Sequence, residues 1–145
     1  MKLTAKIKLN PTEEQRQFLH ETLQRANAAC NYISDLAWQK KTFNKLSLQK
    51  LCYYDVREKF ELSAQIVVRA LGKVADSYKL DKKTRREFKK LGAFPYDSRI
   101  LKYRLETQEV SLWTLQGRQT IAFQAGKRQL ALLQHQQGES DLAFM

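Results

Sequence analysis

Residues 2–9 alternate without a break. Leu3, Ala5, Ile7 and Leu9 point one way, and Lys2, Thr4, Lys6 and Lys8 point the other. A period of two is that of a half-buried strand, here with one basic face. The period then lengthens. Leu19, Leu23, Ala26, Cys30, Ile33 and Ala37 recur at spacings of 4, 3, 4, 3 and 4. That stripe predicts an amphipathic helix over about residues 12–40. Thr12 with Gln15 fits a capping box at its start, and Asn10 with Glu13 is a competing one. Glu13 and Glu14 sit where the helix dipole favours negative charge.

Two more helices are expected. Ser47 can cap one over about 48–59, with Leu48, Leu51, Cys52 and Val56 facing inward. Ser63 can cap another over about 64–79, with Ile66, Ala70, Val74 and Tyr78, or Val67, Leu71 and Ala75, on its apolar side. Short links between three helices imply a small bundle. Residues 79–90, KLDKKTRREFKK, hold seven Lys or Arg against Asp81 and Glu87. They fit either the solvated end of the third helix or a mobile basic link. Leu91-Gly92 and Phe94-Pro95 break the helical pattern.

The last third reads as strands. Residues 110–115 and 120–123 flank a turn at Gln116-Gly117. Residues 129–133 and 141–145 are also strand-like. A lone first strand is not stable in water, so it is expected to pair with the late strands. The fold class is therefore α+β: an N-terminal strand plus C-terminal antiparallel strands, with an inserted three-helix bundle. The corresponding division is 1–9 and 93–145 for the β-element and 10–91 for the bundle. The chain stops inside a strand-like run, so more chain is expected to follow, and that last strand is expected to expose an apolar edge prone to aggregation.

Charge narrows the partner. Lys and Arg outnumber Asp and Glu by 26 to 15, a formal +11 over 145 residues. Such self-repulsion suits a polyanionic ligand, of which nucleic acid is the commonest. No apolar run approaches the roughly 20 residues a membrane span needs, and residues 1–10 do not form a signal peptide. No membrane partner is expected, and a cytoplasmic location is.

Chemistry is sparse. The five glycines are scattered, and neither His20 nor His135 has a Cys or His at ligand spacing. Cys30 and Cys52 fit small buried hydrophobes. The carboxylates interleave with Lys and Arg, as charge balancing would have them. No catalytic, metal or cofactor residue is assigned.

Binding residues are easier to name. Gln65, Arg69, Lys73 and Asp76 recur at spacings of 4, 4 and 3, on a helix face opposite the apolar one. Gln can pair with an adenine edge and Arg with guanine. Lys79, Lys82, Lys83, Arg85, Arg86, Lys89 and Lys90 extend the positive field and suit phosphates. Tyr53, Tyr54 and Phe43 could stack on bases, but aromatics near helix starts are more often packing residues.

Several stretches together resemble one family. KIKLNPTEEQ, LQRANAACNYISDLAWQ and LQKLCYYDVREKFELSAQIVVRALGKVADSYK resemble the N-terminal part of TnpB (OrfB) proteins of bacterial insertion sequences, a region labelled a helix-turn-helix transposase domain. FPYDSRILKY, VSLWTLQGR and GESDLAFM resemble the β-rich segment that comes after it. The resemblance runs in order through essentially the whole chain.

It implies a wedge-type β-barrel, incomplete here, with a helical recognition domain inserted after its first strand. It also implies guide RNA and target-adjacent DNA as partners. The family's nuclease is RuvC-like and uses divalent metal, with zinc in an insertion. Its acidic residues and zinc cysteines have no counterpart here, so those cofactors are expected only outside this chain. Gln65, in LSAQ, falls where the family's helix faces target-adjacent duplex, and Arg69 is added by helical spacing. Two other readings stand beside this one: a full RNA-guided nuclease of which this is the front, and a stand-alone RNA- or DNA-binding regulatory module.

Overall fold

The computed structural model describes residues 5–134 and 140–144. From residue 5 onward the alternation holds: Ala5, Ile7 and Leu9 are half-buried while Lys6, Lys8 and Asn10 are exposed, and Lys2, Leu3 and Thr4 of the expected strand lie outside the described residues. Among the described residues of this stretch, Lys8–Asn10 is bonded as a strand (β1). Thr12 then caps a helix over Glu13–Lys40 (α1) with the full capping box, Gln15 being its partner. Of the two competing boxes, Thr12 with Gln15 is the one formed. Leu19, Leu23, Ala26, Cys30, Ile33 and Ala37 are all buried, as their spacing requires.

The second helix, α2 (Lys45–Phe60), starts earlier than expected. Its cap is Asn44, whose side chain accepts from the Ser47 backbone N–H at 2.9 Å, so Ser47 is a first-turn residue. Leu48, Cys52 and Val56 face inward, but Leu51 is 42% exposed. The reason is angular: Leu51 is rotated about 100° from Cys52 around the axis, away from the buried row. Ser63 caps α3 (Ala64–Leu80), and both expected apolar rows are buried. Burying both lets α3 pack against α1 and α2 while also meeting the later chain.

The chain then forms β2 (Phe94–Tyr96), β3 (Leu101–Arg104), β4 (Glu109–Thr114) and β5 (Gly117–Gln124). The tight turn lies at Leu115-Gln116, one residue before the expected position. Gly117 opens β5 at φ 100°, a conformation that glycine adopts at little cost. A short helix, α4 (Lys127–Gln134), and β6 (Ser140–Leu142) complete the order.

The four-stranded antiparallel sheet runs β1-β5-β4-β3, and β2 pairs with β6 in a second, two-stranded sheet. The first strand therefore does pair with a late one, Leu9 opposite Phe123, and the three long helices lie between them in sequence. The class is α+β. Among the described residues the sheets are open and form no closed barrel.

One expectation for the late chain needs correcting. Residues 129–133 are helical, within α4. Leu, Ala, Gln, Lys and Arg are good helix formers, and none of these positions is β-branched. The last strand covers Ser140–Leu142 and pairs along one side with β2, Phe94 opposite Leu142 and Tyr96 opposite Ser140. Residues 135–139 and Met145, parts of the expected late turn and strand, lie outside the described residues.

Helices and strands share one apolar core. Leu23, Ile33, Leu71 and Val74 belong to it together with Phe94, Tyr96, Leu112 and Ile121. Polar bonds tie the two parts. Thr22 Oγ1 accepts from the Leu115 backbone N–H at 3.0 Å, and Gln15 Nε2 donates to Thr120 O at 2.9 Å.

Candidate nucleic-acid interface

Residues 81–91 neither continue α3 nor hang free of it. Helix α3 ends at Leu80, and Asp81 turns extended, its carboxylate accepting from the Lys83 backbone N–H at 2.8 Å. The segment from there to Leu91 is a strap laid along α1. Asn31 clamps it at Phe88: its amide donates to Phe88 O at 3.0 Å and its carbonyl accepts from Phe88 N at 2.8 Å. Arg86 is held by its backbone, donating to Tyr78 Oη at 3.1 Å and accepting from Ser34 Oγ at 2.5 Å. Asn27 Nδ2 donates to Gly92 O at 2.9 Å. Backbone groups of an irregular segment are thus satisfied by side chains of α1 and α3, which fixes its course without a β-ladder.

Pinning sorts the seven basic residues into two groups. Lys79 pairs with Asp76 at 3.4 Å, Arg86 with Asp81 at 3.7 Å, and Arg85 with both Asp35 and Glu87. Asp35, by hydrogen bond and charge, pushes the Arg85 pKa above its ordinary value. Lys82, Lys83, Lys89 and Lys90 are exposed and have no ion pair among the described residues.

The other expected face behaves differently. Gln65, Arg69 and Lys73 do share one side of α3, and that side packs against residues 93–99. Gln65 donates to Asp97 and accepts from Arg99 Nη1 at 3.1 Å. Lys73 Nζ donates to Asn27 Oδ1 at 2.8 Å and Ala93 O at 2.6 Å, with the rings of Phe88 and Phe94 beside it. Burial pulls the Lys73 pKa below its usual value. Arg69 and Lys73 border a hollow of about 230 Å³ that also has Asp76 and Asp141 on its walls. Gln65 and Lys73 thus spend polar groups on bonds within the chain.

The aromatic candidates also divide. Phe43 packs on Tyr78, ring centres 4.6 Å apart. Tyr53 is half-buried, and Tyr54 is exposed. Both thiols are buried and free; burial pushes Cys30 up to about 12 and Cys52 to about 11, so neither ionises near neutrality. Among the described residues no three His, Cys, Asp or Glu side chains lie close enough to hold a metal ion. No helix among them is long and apolar enough to cross a membrane.

Asn27, Asn31 and Ser34 are the residues that sequence reasoning missed. They recur at spacings of 4 and 3 beside the apolar stripe of α1. A polar row flanking a buried one was the available signal; its partners, more than fifty residues away, had none. No family model matches the chain, and no curated protein matches it.

Proposed function

We propose that this chain binds nucleic acid in the cytoplasm as the recognition part of a TnpB-like, RNA-guided DNA nuclease. It grips guide RNA and target-adjacent DNA and has no catalytic centre of its own. The observation that carries this reading is the strap: Lys82, Lys83, Lys89 and Lys90 project from a backbone fixed at Arg86, Phe88 and Gly92. Exposed lysines with no ion pair among the described residues attract phosphates, and a backbone already held in place loses little order on binding. The excess of +11 supplies the long-range field. Duplex selection in this class rests mainly on guide pairing, with protein reading shape and a short motif.

Filter binding over a salt series tests the proposal. Affinity for duplex DNA is expected to fall steeply with salt. Replacing the four strap lysines with alanine is expected to reduce the log–log slope by about 3 to 4, near 0.9 per lost phosphate contact. A flat salt response, or an unchanged slope in the variant, counts against it. Recovery of the chain from cells with bound RNA supports the guide-RNA half, and recovery without any RNA argues against it.

A further inference from the structure

The sheet β1-β5-β4-β3 turns Leu9, Phe123, Ile121 and Leu112 inward to the core. Its register gathers cations on the other face. Lys8 lies opposite Gln124, and Arg118 alternates on the same side of β5. Lys102 and Arg104 lie opposite Ser111 and Glu109 of β4, which are themselves opposite Thr120 and Ala122 of β5. Lys8, Arg118, Lys102 and Arg104 are all exposed, and none has an ion pair among the described residues. Glu109 is the one acid on the face among the described residues; it is half-buried and unpaired in the same sense. Beyond the strand ends the exposed acids Glu13, Glu14 and Glu106 are matched by exposed Lys6, Lys127 and Arg128, so the excess belongs to the face.

Arg118 reaches diagonally over β4, its Nε donating to Ser111 Oγ at 2.7 Å. Ser111 is also the cross-strand partner of Lys102, so two like charges are drawn toward one serine. Like charges gathered on a sheet cost stability, and an outside anion removes that cost. Lysine on the edge strands β1 and β3 also blunts edge pairing, but Arg118 is on an inner strand, which that rule does not reach. Shape narrows the anion. The outer strands are three strand spacings apart, about 14 Å. The grooves of B-form DNA are about 12 and about 6 Å wide, so a face this broad enters neither. The minor groove of an A-form RNA helix is wide and shallow and displays 2′-hydroxyls. Exposed Asn10, Gln124 and Thr120, between the cations, suit those hydroxyls. Other occupants fit less well. The exposed large apolar side chains, Leu46, Leu51, Tyr54 and Leu80, lie on other elements, and Trp113, on this face, is half-buried against the core. A protein partner would find little apolar area here, and an unpaired base no exposed ring.

We propose that the outer face of the four-stranded sheet lies across the minor groove of a double-helical RNA. Lys8 on one side, and Lys102 and Arg104 on the other, hold phosphates of the two RNA strands. Arg118 adds a third point of charge, steadied by Ser111, and the polar floor meets 2′-hydroxyls. The inference rests on the nucleic-acid reading above and adds a second contact surface, on different elements from the strap.

Fluorescence anisotropy with a labelled RNA duplex of about 16 base pairs, the span of a typical double-stranded-RNA module, and with a DNA duplex of the same sequence tests it. Wild type is compared with the double variant Lys102→Gln/Arg104→Gln, with Glu109→Gln and with the four-lysine strap variant, each checked for an unchanged far-ultraviolet circular dichroism melt. The double variant leaves the bond between Arg118 and Ser111 in place. It is expected to lower affinity for the RNA duplex about tenfold and for the DNA duplex less than about threefold, with the RNA salt slope smaller by about 2. Glu109→Gln removes the one acid and is expected to raise RNA affinity about twofold to threefold, which a merely structural role for this face would not produce. Unchanged RNA affinity in both sheet variants, with wild type binding RNA and the strap variant weakened, overturns the sheet surface and leaves the strap reading standing. Equal losses on RNA and DNA duplexes in the double variant overturn the choice of RNA. Wild type binding neither duplex overturns both readings.

Discussion

Tyr96 shows how much of a residue's role depends on what surrounds it. Its ring is buried, and its hydroxyl donates to Trp113 O at 2.9 Å. Burial raises its pKa above the ordinary 10. The folded state therefore keeps the phenolic proton at pH values where the unfolded chain releases it. This contribution to stability is intact below about pH 10 and is lost as pH climbs from there through the folded value. Tyr96→Phe is expected to lose about 1 kcal/mol at neutral pH, since Trp113 O loses its partner. The same variant should lose stability less steeply above pH 10, read from urea unfolding at a series of pH values. An equally steep alkaline decline in the variant would show that other groups govern it. Nothing in the sequence announced this residue. Phe94-Pro95 read as a break in the helical pattern at the start of the β-element, with no sign of a strand at Tyr96, because its strand partner, Ser140–Leu142, is some 45 positions away.

At the scale of elements, periodicity was legible wherever one face of a long element was buried. The stripe from Leu19 to Ala37 and the two rows of α3 came out as their spacing required, and so did the Thr12 cap. Short elements did not. Leu101 and Tyr103 alternate with Lys102 and Arg104, enough to suggest β3, yet four residues compete poorly with noise. The run 129–133 was too short for its period to separate strand from helix, and propensity decided it. The strap was legible as charge and illegible as structure, since its order comes from Asn31, Ser34 and Tyr78. That dependence gives a prediction. Asn31→Ala removes both bonds to Phe88 and is expected to cost about 1–3 kcal/mol. It should also release the segment to trypsin, which has targets at Lys82, Lys83, Lys89 and Lys90. Limited proteolysis with mass mapping is expected to show cleavage within 82–90 many times faster than in wild type. Equal rates would mean the clamp does not hold the strap.

The whole molecule raises the question of how far helices and strands depend on each other. Sequence order suggested a bundle set into a β-element, and the pairing of Leu9 with Phe123 closes that arrangement. The side chains go further. Phe94 and Tyr96 from the strand segment lie in the same buried cluster as Leu71 and Val74 from α3 and Ile33 from α1. Lys73 and Gln65, expected from their spacing to face a groove, instead bond residues 93–99 to α3. A shared core and polar ties of this kind imply that neither part keeps its packing when the other is lost. Coincident transitions are the sign of one cooperative unit. The chain has two tryptophans, Trp38 in α1 and Trp113 in β4, so Trp38→Phe leaves a fluorophore only in the sheet. Thermal unfolding of that variant is expected to give the same midpoint by Trp113 fluorescence and by helical circular dichroism at 222 nm. Adding Leu71→Ala, a cavity in the helical half with an expected cost of about 2–5 kcal/mol, should lower both midpoints together. A sheet signal that melts separately, or that stays in place when Leu71 is cut back, would mean the strands stand without the helices and that the shared core does not couple them.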